Sequence, residues 1–135
     1  MQLKVPDEQI VLSGLRVMVI DDVTDCRDVV ELYLTQIKAE VKAVSSVQEA
    51  LSIMKQFKPK LVISDIYMPD LDGYWLIEQL KKLKLESEIK VKAIALTAAA
   101  EESDRDRLLA AGYDGYLAKP FVFEDLNRLI TKLIN

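Results

Sequence analysis

Short apolar runs alternate five times along this chain with helical stripes, and few architectures accommodate that alternation. The runs Leu15–Ile20, Val41–Val44, Leu61–Ser64, Val91–Leu96 and Gly115–Ala118 read as strands. Between them, apolar residues recur three and four apart. Cys26, Val29, Val30, Tyr33, Leu34 and Ile37 form one face of a first helix; Val47, Ala50, Leu51 and Met54 follow in a second that ends near Pro59. A third lies around Tyr74 to Leu83 and a fourth at Glu101 to Ala111, with Gly112 placed to cap it. Phe123, Leu126, Leu129, Ile130 and Leu133 mark a fifth that runs almost to Asn135. Ser46-Val47-Gln48-Glu49 is a capping-box sequence, in which the serine hydroxyl and the glutamate carboxylate satisfy free amides at a helix start.

Parallel strands joined by short connections through helices require right-handed crossovers, which place helices on both faces of the sheet. The expected class is therefore α/β, a three-layer, flavodoxin-like (βα)5 sandwich. Its parallel sheet of order 2-1-3-4-5 has a topological switch between the first and third strands. Periodicity alone does not fix that order. The length of 135 residues fits one domain, taken as 15–135. Residues 1–14, with Pro6, mixed charges and Ile10-Val11-Leu12, read as an amino-terminal linker or tail.

Ligands of such sheets bind outside the carboxyl ends of the strands, and here four strand ends carry polar groups. They are Asp21-Asp22, Asp65, Thr97 and Lys119-Pro120. Histidine is absent, which excludes histidine-based metal sites, Ser-His-Asp catalysis and a phosphohistidine of the chain's own. With four glycines and no phosphate-loop motif, nucleotide-type phosphate cradles are excluded too. Carboxylates, hydroxyls and lysines remain. A net charge of −4 without a dense basic run gives no reason to bind nucleic acid, and no apolar run is long enough to span a membrane. Cys26 is the only cysteine, so no internal disulfide forms, and a reducing cytoplasmic setting is the default.

Each polar residue has an ordinary reading when taken singly. Asp21 and Asp22 could cap a turn, Thr97 and Tyr116 are good strand formers, Lys119 could be solvated, and Asp70 and Asp72 read as loop or capping residues. Cys26 reads as a core residue of the first helix.

Their joint occurrence is what carries a family resemblance. Val19-Ile20-Asp21-Asp22, Ser64-Asp65-Ile66-Tyr67-Met68-Pro69-Asp70-Leu71-Asp72-Gly73, Ala95-Leu96-Thr97-Ala98 and Gly115-Tyr116-Leu117-Ala118-Lys119-Pro120-Phe121 resemble the receiver domain of two-component response regulators over roughly residues 15 to 134. The resemblance implies that Asp65 is a phosphoacceptor, assisted by Lys119 and Thr97, that takes its phosphoryl group from a histidine kinase or histidine phosphotransfer protein. It implies Mg2+ held by Asp21, Asp22, Asp65 and the Tyr67 backbone carbonyl, a hard-oxygen set of the kind this cation prefers. Lys119 is expected to pair with Asp65, and the Lys119-Pro120 bond to be cis. Thr97 and Tyr116 become a switch that remodels the face of the fourth helix, fifth strand and fifth helix, where a protein partner would bind. Bulky Tyr67, two residues after the acceptor, and Ala99, two after Thr97, imply a comparatively long-lived acyl phosphate. The opening segment resembles the linkers before carboxyl-terminal receivers of hybrid histidine kinases, and a stand-alone regulator fits equally well. The chain is expected to catalyse only its own phosphorylation and dephosphorylation. Rival readings are a magnesium-dependent phosphatase of the haloacid dehalogenase type, whose D-x-D pattern Asp21-Asp22-Val23 does not supply, and a non-phosphorylated scaffold.

Overall fold

In a computed structural model that describes residues 12–87, 90–98 and 102–134, five strands and five helices alternate without interruption. They are β1 (Arg16–Ile20), α1 (Thr24–Gln36), β2 (Glu40–Val44), α2 (Val47–Phe57), β3 (Leu61–Asp65), α3 (Gly73–Ser87), β4 (Lys92–Thr97), α4 (Glu102–Ala111), β5 (Gly115–Ala118) and α5 (Phe123–Ile134). All the strands are parallel, in the order β2-β1-β3-β4-β5, the flavodoxin-like arrangement expected for the chain. The expected start of the fourth helix at Glu101, the position of Ala99 and most of the proposed linker, residues 1–11, lie outside the described residues.

The central strands explain why this order is stable. Every residue of β3 is buried, and β4 is buried beyond its first residue, as strands covered on both faces require. Alternate side chains feed two apolar layers. Met18, Ile20, Val62, Ala93 and Ala95 pack under α2, α3 and α4; Val17, Val19, Leu61, Ile63, Ile94 and Leu96 pack under α1 and α5. Tyr33 of α1 stacks on Phe123 of α5 with ring centroids 4.2 Å apart, joining the two helices of the second layer. Leu12, placed in the linker by its sequence, is fully buried in that same layer, so the packed unit reaches back at least to residue 12.

Capping follows the sequence in outline. The Glu49 amide donates to Ser46 Oγ at 3.1 Å, while the Glu49 carboxylate reaches one residue further back than a capping box requires and accepts from the Ser45 amide at 3.2 Å. At the start of α3, Asp72 Oδ1 accepts from the amides of Tyr74 and Trp75, both at 3.0 Å. Gly112 ends α4 with φ of +125°, a backbone angle that favours glycine. Two expectations for α1 need correction: Val29 is 48% exposed, and Cys26 is half-buried instead of belonging to the core. The apolar stripe of α1 is wider than the face it buries. Among the described residues, no helix is long and apolar enough to cross a membrane.

Candidate functional site

Because the strands are parallel, the carboxyl ends of β1, β3, β4 and β5 meet along one edge, and residues 98 positions apart in sequence touch there. Asp21 follows β1 and is 1% exposed. Its amide donates to the Val44 carbonyl at 3.1 Å, its Oδ1 accepts from the Val23 amide at 2.9 Å, and its Oδ2 accepts from Lys119 Nζ at 3.0 Å. Arg27 of α1 donates to the Asp21 carbonyl at 2.8 Å. Strand, helix and distant lysine thus fix this carboxylate together. Asp22, one residue on, is exposed.

Asp65 is the last residue of β3 and is 7% exposed. The Ile66 amide donates to its Oδ1 at 2.8 Å, and Lys119 Nζ lies 3.6 Å from its Oδ2. Burial pushes the Asp65 carboxyl above the usual carboxylate range. Lys119 opposes that rise, and the neighbouring negative charge of Asp21 adds to it. For Lys119, burial alone would lower the pKa, but the Asp21 hydrogen bond and the charges of Asp65 and Asp21 outweigh it and hold the ammonium above its ordinary value. Lys119 pairs with Asp65 as the resemblance implies, and it lies closer still to Asp21. Asp21 is the more buried of the two carboxylates.

One oxygen from each of Asp21, Asp22 and Asp65 lies within 4.8 Å of the others, and three carboxylates so close are suited to a hard divalent cation. Tyr67 occupies the loop two residues beyond Asp65 and is 52% exposed. Thr97 ends β4 at 1% exposure, and its carbonyl accepts from the Lys119 amide at 2.8 Å, which ties the lysine to the neighbouring strand end. Tyr116, opposite Ala95 in the β4–β5 register, is half-buried against the layer under α2, α3 and α4. The Lys119-Pro120 bond is cis.

The structure brings together Asp21, Asp22, Asp65 and Lys119, with Thr97 at the adjacent strand end. It also adds contacts that the sequence did not single out. Ser64 Oγ donates to the Asp65 carbonyl at 2.8 Å, and the Tyr113 hydroxyl donates to the Gly73 carbonyl at 2.7 Å. Cys26 lines a groove beside the site with Val29, Lys119 and Phe121, and burial followed by the Asp21 contact pushes its thiol up to about 11. It stays protonated at neutral pH. Tyr113 belongs to no quoted motif, and Ser64, though it opens the Ser64–Gly73 motif, is not marked there as a donor, because their partners lie in another element or in the backbone.

Comparison with known proteins agrees with this arrangement. The response regulator receiver domain family model matches residues 17–131. A 14.6 kDa protein from the sodA1 3' region of Leptolyngbya boryana is 38% identical over 119 residues, covering 88% of this chain and 89% of the relative. The probable transcriptional regulator ycf27 of Porphyridium aerugineum is also 38% identical over 119 residues; the match covers 88% of this chain but 48% of the relative, so this chain spans about half the length of that protein. Among solved structures, a co-crystal of the Saccharomyces cerevisiae histidine phosphotransfer protein Ypd1 with the receiver domain of Ssk1 contains a chain that aligns with a TM-score of 0.82 at 24% identity. That alignment covers 90% of this chain and 89% of the other, and it shows a shared fold. The family match runs from β1 into α5 and takes in every strand end that carries the site, so the chain belongs to the response regulator receiver domain family.

Proposed function

We propose that Asp65 accepts a phosphoryl group from the phosphohistidine of a histidine kinase or histidine phosphotransfer protein, and that the acyl phosphate switches a protein-binding surface. The observation that carries this reading is a buried, backbone-anchored carboxylate at the end of β3, held within reach of one lysine and two further carboxylates. An Asp65 oxygen attacks phosphorus, a P–O bond forms, the P–N bond breaks, and its electron pair returns to the donor imidazole. The Ile66 amide orients the carboxylate for that attack. Lys119, which remains protonated, turns from the carboxylates to a phosphoryl oxygen, and the Thr97 hydroxyl donates to another. Asp21, Asp22, Asp65 and the Tyr67 carbonyl would hold Mg2+. When bound, that ion draws charge from the phosphoryl oxygens.

Phosphorylation adds roughly −1.5 to −2 units of charge. The contact with Thr97 draws that residue inward, Tyr116 turns to fill the space behind it, and the face of α4, β5 and α5 changes shape for its partner. The named assembly of Ssk1 with Ypd1 supports a phosphotransfer partner for this chain as well. Mg2+, a cytoplasmic setting and self-labelling without turnover complete the reading. It is tested by intact mass after incubation with Mg2+ and acetyl phosphate, comparing wild type with Asp65→Asn. One phosphoryl group on wild type and none on the variant is expected. Labelling that survives Asp65→Asn, or steady hydrolysis of phosphate esters, would overturn it.

A further inference from the structure

The loop from Ile66 to Asp72 joins Asp65 to α3 and carries Tyr67, whose carbonyl is assigned to the metal. It is closed at its ends by the Gly73 amide, which donates to the Ile66 carbonyl at 2.8 Å. A third element enters the same closure. The Tyr113 hydroxyl, on the connection between α4 and β5, donates to the Gly73 carbonyl at 2.7 Å and lies beside the Ser64 side chain, which itself donates to the Asp65 carbonyl at 2.8 Å.

Tyr113 is rigidly supported. It is 3% exposed, its amide donates to the Leu108 carbonyl at 3.2 Å, and the next residue, Asp114, exchanges two hydrogen bonds of 2.8 Å with Ala93 at the start of β4. The fit around Gly73 leaves no slack. A Cβ built there would lie 2.6 Å from Ile66 Cδ1, 2.9 Å from Ile66 Cα and 3.0 Å from the Tyr113 hydroxyl. Glycine at 73 is what lets the loop close and the phenol reach its carbonyl at the same time.

We propose that Tyr113 is a positioning residue, a hydroxyl clamp that presets the 66–73 loop for the metal, fastening the Asp65 side of the site to the α4–β5 connection. It rests on the reading of Asp65 as phosphoacceptor given above. A loop held in place before the cation arrives loses less freedom on binding, so the clamp acts on cation affinity and leaves the transfer step alone.

The test is Tyr113→Phe, which removes the hydroxyl and keeps the ring. In metal-free protein the Gly73 amide should exchange about three- to tenfold faster, the scale of one net hydrogen bond, with Val19 in β1 as an unmoved reference. The Mg2+ dissociation constant, by calorimetry, should rise by a similar factor, while labelling by acetyl phosphate at saturating Mg2+ keeps its wild-type rate. A lower melting temperature with Gly73 exchange and Mg2+ affinity both unmoved would assign Tyr113 to packing alone and overturn the clamp. Slow labelling that persists at saturating Mg2+ would overturn it as well. A wild type that binds no Mg2+ and takes no phosphoryl group would remove the reading beneath the proposal, and it is recognised before any variant is compared.

Discussion

Replacing Lys119 with methionine keeps most of the side-chain bulk and removes the ammonium that faces both buried carboxylates. Its Nζ lies 3.0 Å from Asp21 and 3.6 Å from Asp65. At an effective dielectric of about 20, each contact represents roughly 4–6 kcal/mol of gross attraction, most of which offsets the desolvation of the three groups. What the substitution exposes is the imbalance left behind, and removing one partner of a buried pair costs about 3–5 kcal/mol. The Lys119 side chain keeps 21% of its surface exposed, so the lower end applies, about 3 kcal/mol. In a domain of this size, that lowers the melting temperature by about 12 °C near neutral pH. The sign of the pH dependence follows from the charges. Without Lys119 to oppose it, the folded-state pKa of Asp65 rises further above its unfolded value, so the folded state binds more protons between those values. Stability then falls as pH increases through that window. The deficit should be small near pH 4.5, where carboxylates take up protons, and full near pH 7. Thermal unfolding followed by circular dichroism in chelator, from acid to neutral pH, measures it directly. A deficit of equal size across that range would show that Lys119 matters through packing, and the electrostatic account would be wrong. Added Mg2+ should narrow the deficit at neutral pH.

Tyr67→Asn replaces an exposed bulky side chain beside the acceptor with an amide able to orient water, and should shorten the life of the acyl phosphate several-fold; loss of the mass label with time measures this, and an unchanged decay would count against shielding by Tyr67. Leu12→Ala should cost about 2–5 kcal/mol in urea unfolding, since this side chain is fully buried, and a cost near zero would place it outside the packed unit. Mg2+ affinity should fall between neutral and acid pH, because burial raises the Asp65 pKa and protons compete for the same oxygens. Calorimetric titration that returns equal affinities would remove Asp65 from the metal's ligands.

The fold was legible because its signal is local. Apolar runs at Leu15–Ile20 and Val91–Leu96, the Ser46 cap and Gly112 each report on a few neighbouring residues, and five such units set the α/β class though not the strand order. The strand-end residues Asp21, Asp22, Asp65, Thr97 and Lys119 were legible for the same reason, since the end of an apolar run marks where a parallel sheet offers a site. What escaped depends on contacts between elements. Leu12 packs into a layer made by α1 and α5, which no periodicity around residue 12 announces. Lys119 prefers Asp21 because of where the end of β5 stands relative to β1 and β3, a distance that sequence does not contain. Tyr113 meets Gly73 across 40 residues, and a tyrosine after a helix-ending glycine looks like any other strand-entry aromatic.

The charged groups at the sheet edge do not balance. Asp21 and Asp65, both buried, face one ammonium, with the exposed Asp22 beside them and the Arg27 guanidinium on the Asp21 carbonyl, so the carboxylates outnumber the cations. A phosphodonor brings more negative charge to the same spot and is repelled. Asp21, Asp22 and Asp65 would hold a divalent cation that cancels that excess, and Lys119, sharing Asp21 and Asp65 with it, would be freer to meet the phosphoryl group as proposed above. Order of arrival is thereby written into the electrostatics: cation first, donor second. Phosphorylation of this chain should respond to free Mg2+ as a gate whose threshold is set by Lys119.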